Sequence, residues 1–311
     1  MRPRPLFSIL VGILFSVEVG RGQSPPQVDQ SQLFNPPPGE QTGPSENRPM
    51  GDFTTTGLAP SSPGDNDLGE QVILKRQTKN TPFIFTLGTS INYTSNIALV
   101  DRGARGDAFF LAQMALTYQY KIRDNLILDA GVSEGIFRYD KYTAFNFNSF
   151  NIGAGATYLF KGLAFSLRYN YNQLTNNDFY PFFRQNSITI GAQKTISINS
   201  AVFTYFGATA RINFNSPVIT QRDEYNLFLG ARAALTRSLT LDAFYRGGWF
   251  NYNEVNRNDF NQTFAASLRY SPRPWVALTA STSFGWNISS QSFFSYRVGN
   301  AGLDLGLVLK F

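Results

Sequence analysis

Period-two alternation of apolar and polar residues runs almost unbroken from Thr81 to Phe311. Successive side chains of a strand point to opposite faces, so the pattern specifies strands that are apolar on one side and polar on the other. Twelve segments of 10 to 15 residues carry it. The first, 82–95, sets Phe83, Phe85, Leu87, Thr89, Ile91 and Tyr93 against Thr86, Gly88, Ser90 and Asn92. The others lie near 107–121, 126–138, 147–160, 163–172, 187–198, 201–214, 225–235, 239–249, 260–270, 275–288 and 297–311. A tilted strand crossing a bilayer needs about 9–11 residues, whereas soluble strands average about 5.

The connections alternate in length. Tight turns fall at 122–125, 161–162, 199–200, 236–238 and 271–274, and longer polar loops near 96–106, 139–146, 173–186, 215–224, 250–259 and 289–296. Five short turns and six long loops are what twelve strands with both ends on the turn side require. An even strand number closes a sheet and leaves no unpaired edge for lipid to meet. The fold predicted for residues 81–311 is all-β: a closed, antiparallel, up-and-down transmembrane β-barrel of about twelve strands. Both termini are then periplasmic and the long loops extracellular. A soluble β-sandwich is the rival fold, and long strands with aromatic ends fit it poorly.

The apolar face is consistent, as in Tyr225, Leu227, Leu229, Ala231, Ala233 and Leu235. Amphipathic rings gather near the segment ends: Tyr118, Tyr120, Tyr158, Tyr270 and Trp275 on the turn side, Tyr93, Tyr171, Trp249 and Trp286 on the loop side. Such rings collect at bilayer interfaces, so these read as two girdles. Glu134 and Lys194 break the pattern. Either a bulge shifts them or they lie close enough to an interface for the side chain to reach water.

Composition narrows function. The chain holds no cysteine and no histidine. That removes disulfides, thiolate and imidazole metal sites, cysteine nucleophiles and His-based acid–base chemistry. No nucleophile–base pair can be assembled, so the reading assigns no catalytic residue, no metal ligand and no cofactor, and the protein is not an enzyme. Residues 81–311 carry 20 Lys and Arg against 13 Asp and Glu. These charges form no basic cluster, which argues against nucleic acid.

The N-terminus is an address followed by a tether. Residues 1–22 have basic Arg2 and Arg4, a short apolar run from Leu6 to Val17, and Gly20 and Gly22 before a cut at Gln23, the pattern of a signal peptide. An uncleaved anchor is the alternative. Residues 23–80 are rich in Pro, Gln and Ser and read as a disordered linker that could reach a periplasmic partner. Within it, Gln71–Arg76 is a small apolar knot, read as a short docked strand, with a partner-docking peptide or a lumen plug as alternatives.

By parity, Arg168, Arg211, Arg232, Arg246, Arg269, Asp129, Asp242 and Asp304 line the lumen among small polar residues. If the turn is 236–238, Arg232 lies opposite Asp242 as a cross-strand pair. Arg211 and Arg246 are then the free charges, giving the lumen a field that favours anions. Asp223 and Glu224 read as a solvated pair at a loop end. Loop residues Arg102, Arg105, Arg184, Arg222 and Arg257 suit contact with lipopolysaccharide or surface glycan.

The last residues, Asp304, Gly306, Leu309 and Phe311, occupy the places of the carboxy-terminal signal read by the outer-membrane barrel assembly machinery. With the signal peptide and the strands, residues 82–311 resemble bacterial outer-membrane β-barrels, which implies contact with outer-membrane lipid and that machinery. Leu309 is aliphatic where an aromatic residue is commoner. The string Tyr93-Thr94-Ser95-Asn96-Ile97, followed by Asp107 and a Phe-rich strand, resembles porin-type barrels that accompany exopolysaccharide systems, which implies a glycan-related substrate. Two functions compete: a porin-like channel or binding barrel for a small, anionic, acidic sugar-like solute, and a closed anchor barrel joining a periplasmic partner to surface glycan.

Overall fold

The structure is a computed structural model that describes residues 26–34 and 82–311. The predicted signal peptide and the 71–76 knot lie outside the described residues. A helix, α1 (Pro26–Phe34), precedes twelve strands: β1 (Phe83–Thr94), β2 (Asp107–Arg123), β3 (Leu126–Tyr139), β4 (Phe147–Phe160), β5 (Leu163–Thr175), β6 (Pro181–Ser197), β7 (Val202–Ser216), β8 (Arg222–Ala234), β9 (Leu239–Tyr252), β10 (Arg257–Arg273), β11 (Val276–Ser289) and β12 (Tyr296–Lys310). Each strand pairs antiparallel with its sequence neighbours, and β1 closes on β12 with Ile84 opposite Lys310 and Thr94 opposite Asn300. This is the closed twelve-stranded barrel.

Local chemistry sets the turns. Lys161 and Gly162 both have positive φ, +48° and +79°, the conformation a two-residue hairpin needs to match strand twist. At the opposite end the strands run further than the alternation marks. The segment near 173–186 contracts to 176–180, and that near 250–259 to 253–256. Asn and Gln in those stretches are weak strand formers, yet Gln173, Gln185, Asn251 and Asn258 pair in register across the ladder, and that pairing overrides propensity.

The outward face is a band of uncovered apolar side chains. Ile91, Leu227 and Leu303 are 69%, 70% and 68% exposed. Tyr93, Tyr118, Tyr120, Tyr158, Trp249, Tyr270 and Trp275 are exposed there too, with Tyr171 and Trp286 half-buried. The ladder is unbroken at Glu134, opposite Met114 and Phe150, and at Lys194, opposite Leu163 and Phe206. No bulge displaces either residue, which corrects that alternative. Lys194 lies near the turn end of β6, where its long stem can carry the ammonium to water.

The packed core lies inside the barrel, at the long-loop end of β2–β6. Phe109, Leu111, Phe137, Tyr139, Phe147, Leu174 and Phe183 are buried on the inner face. Phe137 and Phe147 stack with centroids 4.1 Å apart. The inner face is therefore not uniformly small and polar. This apolar patch is covered by α1, whose Val28 joins the cluster and whose Phe34 meets Phe109 edge-on at 5.2 Å.

Helix α1 corrects the expectation of a disordered linker for nine of its residues. Pro26 opens the helix, where its missing N–H removes no bond, and Asp29 lies in the first turn, where the helix dipole favours an acid. A helix this short does not hold alone in water, so its order comes from the barrel wall. Phe83 and Phe311 mark the short-turn end, where their rings stack at 5.8 Å. Helix α1 sits at the other end, beside the long loops.

Candidate functional site

Helix α1 lies inside the barrel at its long-loop end. Its polar residues reach the wall on several sides. Ser31 Oγ lies 2.6 Å from Ser149 Oγ on β4, and Gln32 Nε2 donates to Gln185 Oε1 on β6 at 3.5 Å. The Tyr139 hydroxyl on β3 donates to Gln30 Oε1. Gln30 Nε2 donates to the Ile97 carbonyl at 3.5 Å, in the folded-in loop 95–106. That loop is pinned by Asn96, whose Nδ2 donates to the carbonyls of Val100 and Arg297 at 2.8 and 2.9 Å. Asp29 takes the far side, accepting from Arg222 Nη2 on β8 at 2.8 Å. The helix thus spans between nearly opposite walls, β3–β4 and β8.

Around Arg222 lies an arginine-rich cluster. Arg222 is 3% exposed, its guanidinium 4.5 Å from the centre of the Phe250 ring. Its Nε donates to Glu224 Oε1 at 2.8 Å and its Nη1 to the Tyr252 hydroxyl at 3.2 Å. Glu224, 2% exposed, also accepts from Arg211 Nη1 at 3.3 Å. Arg246 Nη2 donates to Asn261 Oδ1 and Thr263 Oγ1 at 2.9 and 3.2 Å. Its buried Nε has no hydrogen-bond partner among the described residues. Arg257 and Asp259 form a separate pair behind Tyr252. Three guanidinium groups, of Arg211, Arg222 and Arg246, face two carboxylates, of Glu224 and Asp29, and one of those belongs to the helix.

Several sequence expectations are corrected here. Arg211 is not a free charge, because alternation along β7 and β8 brings Glu224 beside it. Arg222 and Arg257 are not loop residues. They open β8 and β10 on the inner face, since both strands start earlier than the alternation suggested. For the same reason Glu224 is buried rather than solvated. Arg184 likewise is not a loop residue but lies on the outward side of β6, and with Arg102 and Arg105 of the loop it is exposed at the long-loop end.

Two further ion pairs lie on the wall nearer the turns. Arg232 Nε donates to Asp242 Oδ2 at 2.6 Å, and the register sets the two directly opposite. Arg168 grips Asp129 with both terminal nitrogens at 2.7 Å, the forked geometry that makes such pairs strong. These two sit either side of Gly155 on β4, and a Cβ at Gly155 would lie 2.8 Å from Arg168 Cζ. Asp304 faces Ser90 and Thr279, and Arg269 Nε donates to Ser271 Oγ at 3.2 Å, so neither belongs to the mouth cluster. Gly306 lies opposite Gly88, and Leu309 opposite Phe85, on the closing seam. Among the described residues no group of three His, Cys, Asp or Glu could hold a metal ion.

Between α1 and the β8–β12 wall remains a cavity of about 60 Å³, lined by Asp29, Gln30, Arg222, Arg246, Phe250 and Tyr296, among others. That is room for a few waters.

No family model and no curated relative matches the sequence. Solved structures do. The COG4313 outer membrane channel from Pseudomonas putida F1 superposes with a TM-score of 0.53 at 10% identity, over 73% of this chain and 95% of that one. This chain shares the fold of an outer-membrane channel barrel. The KdgM porin in complex with disordered oligogalacturonate is a more distant likeness, with a TM-score of 0.41 and 8% identity over 71% of this chain and 98% of that one. The anion-selective porin from Comamonas acidovorans has a TM-score of 0.37 and 9% identity over 73% and 98%. The likenesses extend to architecture alone.

Proposed function

We propose that residues 82–311 form an outer-membrane, porin-like channel or binding barrel for a small, anionic, acidic sugar-like solute, with the long loops extracellular. The observation that carries this reading is the arginine excess at the mouth. Apart from Asp29 of α1, the carboxylate seen to pair with Arg211 and Arg222 among the described residues is Glu224, and Arg246 stands beside them. A lumen with that balance attracts anions. Around it, Asn226, Asn261, Thr263 and Asn300 offer the hydrogen-bonding groups that a hydroxylated solute needs. The exposed apolar band and its two girdles support placement in a bilayer. Twelve strands lie between the side-chain-filled eight-stranded barrel and the open sixteen-stranded porin, so a modest element such as α1 suffices to close the lumen.

Planar-bilayer recording tests this. A conducting barrel whose reversal potential in a salt gradient shows anion preference supports it. No conductance above background, or cation preference, argues against it.

The closure by α1 also favours a second reading, a non-conducting anchor barrel that joins a periplasmic partner to surface glycan through exposed Arg102, Arg105 and Arg184. Capture of a specific partner by residues 23–80, with no conductance under any condition, would support that reading instead.

A further inference from the structure

We propose that the Arg222–Arg246 cavity is a carboxylate-binding site, and that Asp29 of α1 is its internal, exchangeable occupant. This rests on the reading of the barrel as a conduit or binder for anionic solutes and names the place where the anion is held.

Four observations converge. Asp29 is a carboxylate seated on a buried guanidinium, and it arrives on a separate segment rather than on the wall. The wall supplies Glu224 for Arg222 Nε and for Arg211, but no second acid for Arg222 Nη2 or for Arg246 among the described residues. Arg246 borders the same cavity with a buried, unpartnered Nε. Finally, the Phe250 ring under Arg222 and the Tyr296 hydroxyl, which accepts from Asn261 Nδ2 at 3.2 Å, give the site an apolar floor and a polar rim.

A guanidinium fork binds a carboxylate with specific geometry. Arg222 Nη2 and Arg246 Nε therefore fit a solute carboxylate, and the rim fits its hydroxyl groups. With α1 seated, the space holds only a few waters, so a sugar acid enters only as Asp29 leaves. Solute and helix thus compete for one site, and the solute's apparent affinity is lowered by the fraction of molecules in which Asp29 occupies it.

The test is calorimetric titration of the purified full-length barrel in detergent with D-galacturonate, and with D-galactose as the neutral probe. Asp29→Asn leaves the wall intact and removes the competing charge. Galacturonate affinity is expected to rise about tenfold, as for a site nine-tenths occupied in the native chain, while galactose binding stays unchanged. Arg246→Gln is expected to weaken galacturonate binding in the Asp29→Asn background. Unchanged galacturonate affinity in Asp29→Asn, or equal gains for both sugars, overturns the exchange. Binding that survives intact in Arg246→Gln overturns the site. Because titration reads binding without current, a barrel that binds but never conducts separates failure of the channel reading from failure of this one.

Discussion

Arg222 on β8 and Asp29 on α1 lie 193 positions apart in the chain and meet through one N–H···O contact of 2.8 Å. That contact joins the N-terminal segment to the barrel's arginine cluster, so the segment is part of the lumen's chemistry. About a quarter-turn away around the helix, Val28 packs on the aromatic patch of β2–β4.

Substituting Val28 should unseat α1 without touching the wall. Val28→Asp would place a carboxylate against Phe109 and Phe137, where nothing can solvate it. The expected result is faster hydrogen exchange across residues 26–34 and greater open probability in bilayers, with the unfolding midpoint of the barrel unchanged. Exchange at the native rate would show that the patch does not seat the helix.

The Arg168–Asp129 pair should contribute stability rather than selectivity. Asp129→Asn breaks a buried ion pair by removing one charge, a change that costs about 3–5 kcal/mol. Gly155→Val should act in the same direction, because its side chain occupies the space through which the pair meets. Urea unfolding in detergent measures both, and anion preference should be unaltered.

Outward and inward charge should behave oppositely. Leu229→Arg puts a cation on the exposed band of β8 and should destabilise the barrel in lipid by about 2–4 kcal/mol. The inner-face substitution Ser281→Arg should cost far less. Equal costs in a bilayer-unfolding assay would mean that the exposed band does not face lipid.

The closing seam should matter for assembly. Phe311 stacks on Phe83, which in turn meets Tyr118 at 4.9 Å. Deleting Phe311 should lower the heat-modifiable, folded fraction in isolated outer membranes, while the same chain refolded in detergent still closes. Undiminished insertion in cells would remove the assembly role of the C-terminal residues.

What was legible in the sequence follows from which forces act locally. Strand alternation is local, so twelve strands and their faces emerge from it, and one turn register was enough to place Arg232 opposite Asp242. The mouth was harder to read. Arg222, Glu224 and Arg257 stand beside turn-forming polar residues, so they resembled loop, yet the sheet extends through them. Phe109, Phe137 and Phe147 fall on the polar-face parity of their strands, and that misplacement was the available sign that something apolar fills the lumen. The helix itself carries little signal. Its sequence, PQVDQSQLF, has only Val28, Leu33 and Phe34 as apolar anchors, and its helicity depends on a seat provided by residues more than sixty positions away. Pro26 followed by an acid three residues later was the one local cue.

The central claim is that a conducting barrel is barred by a removable helix. Ser31 and Ser149 are close enough, with hydroxyls 2.6 Å apart, for a cysteine pair to bridge α1 to β4. The chain has no cysteine of its own, so the double variant Ser31→Cys/Ser149→Cys forms a single disulfide. Single-channel recording of this variant, first oxidised and then reduced in the same bilayer, is the direct measurement. The oxidised barrel should stay at background, and reduction should restore the anion-preferring conductance of the native chain. Equal conductance in both states would contradict the helix as the bar, and silence in both the reduced variant and the native chain would contradict the channel.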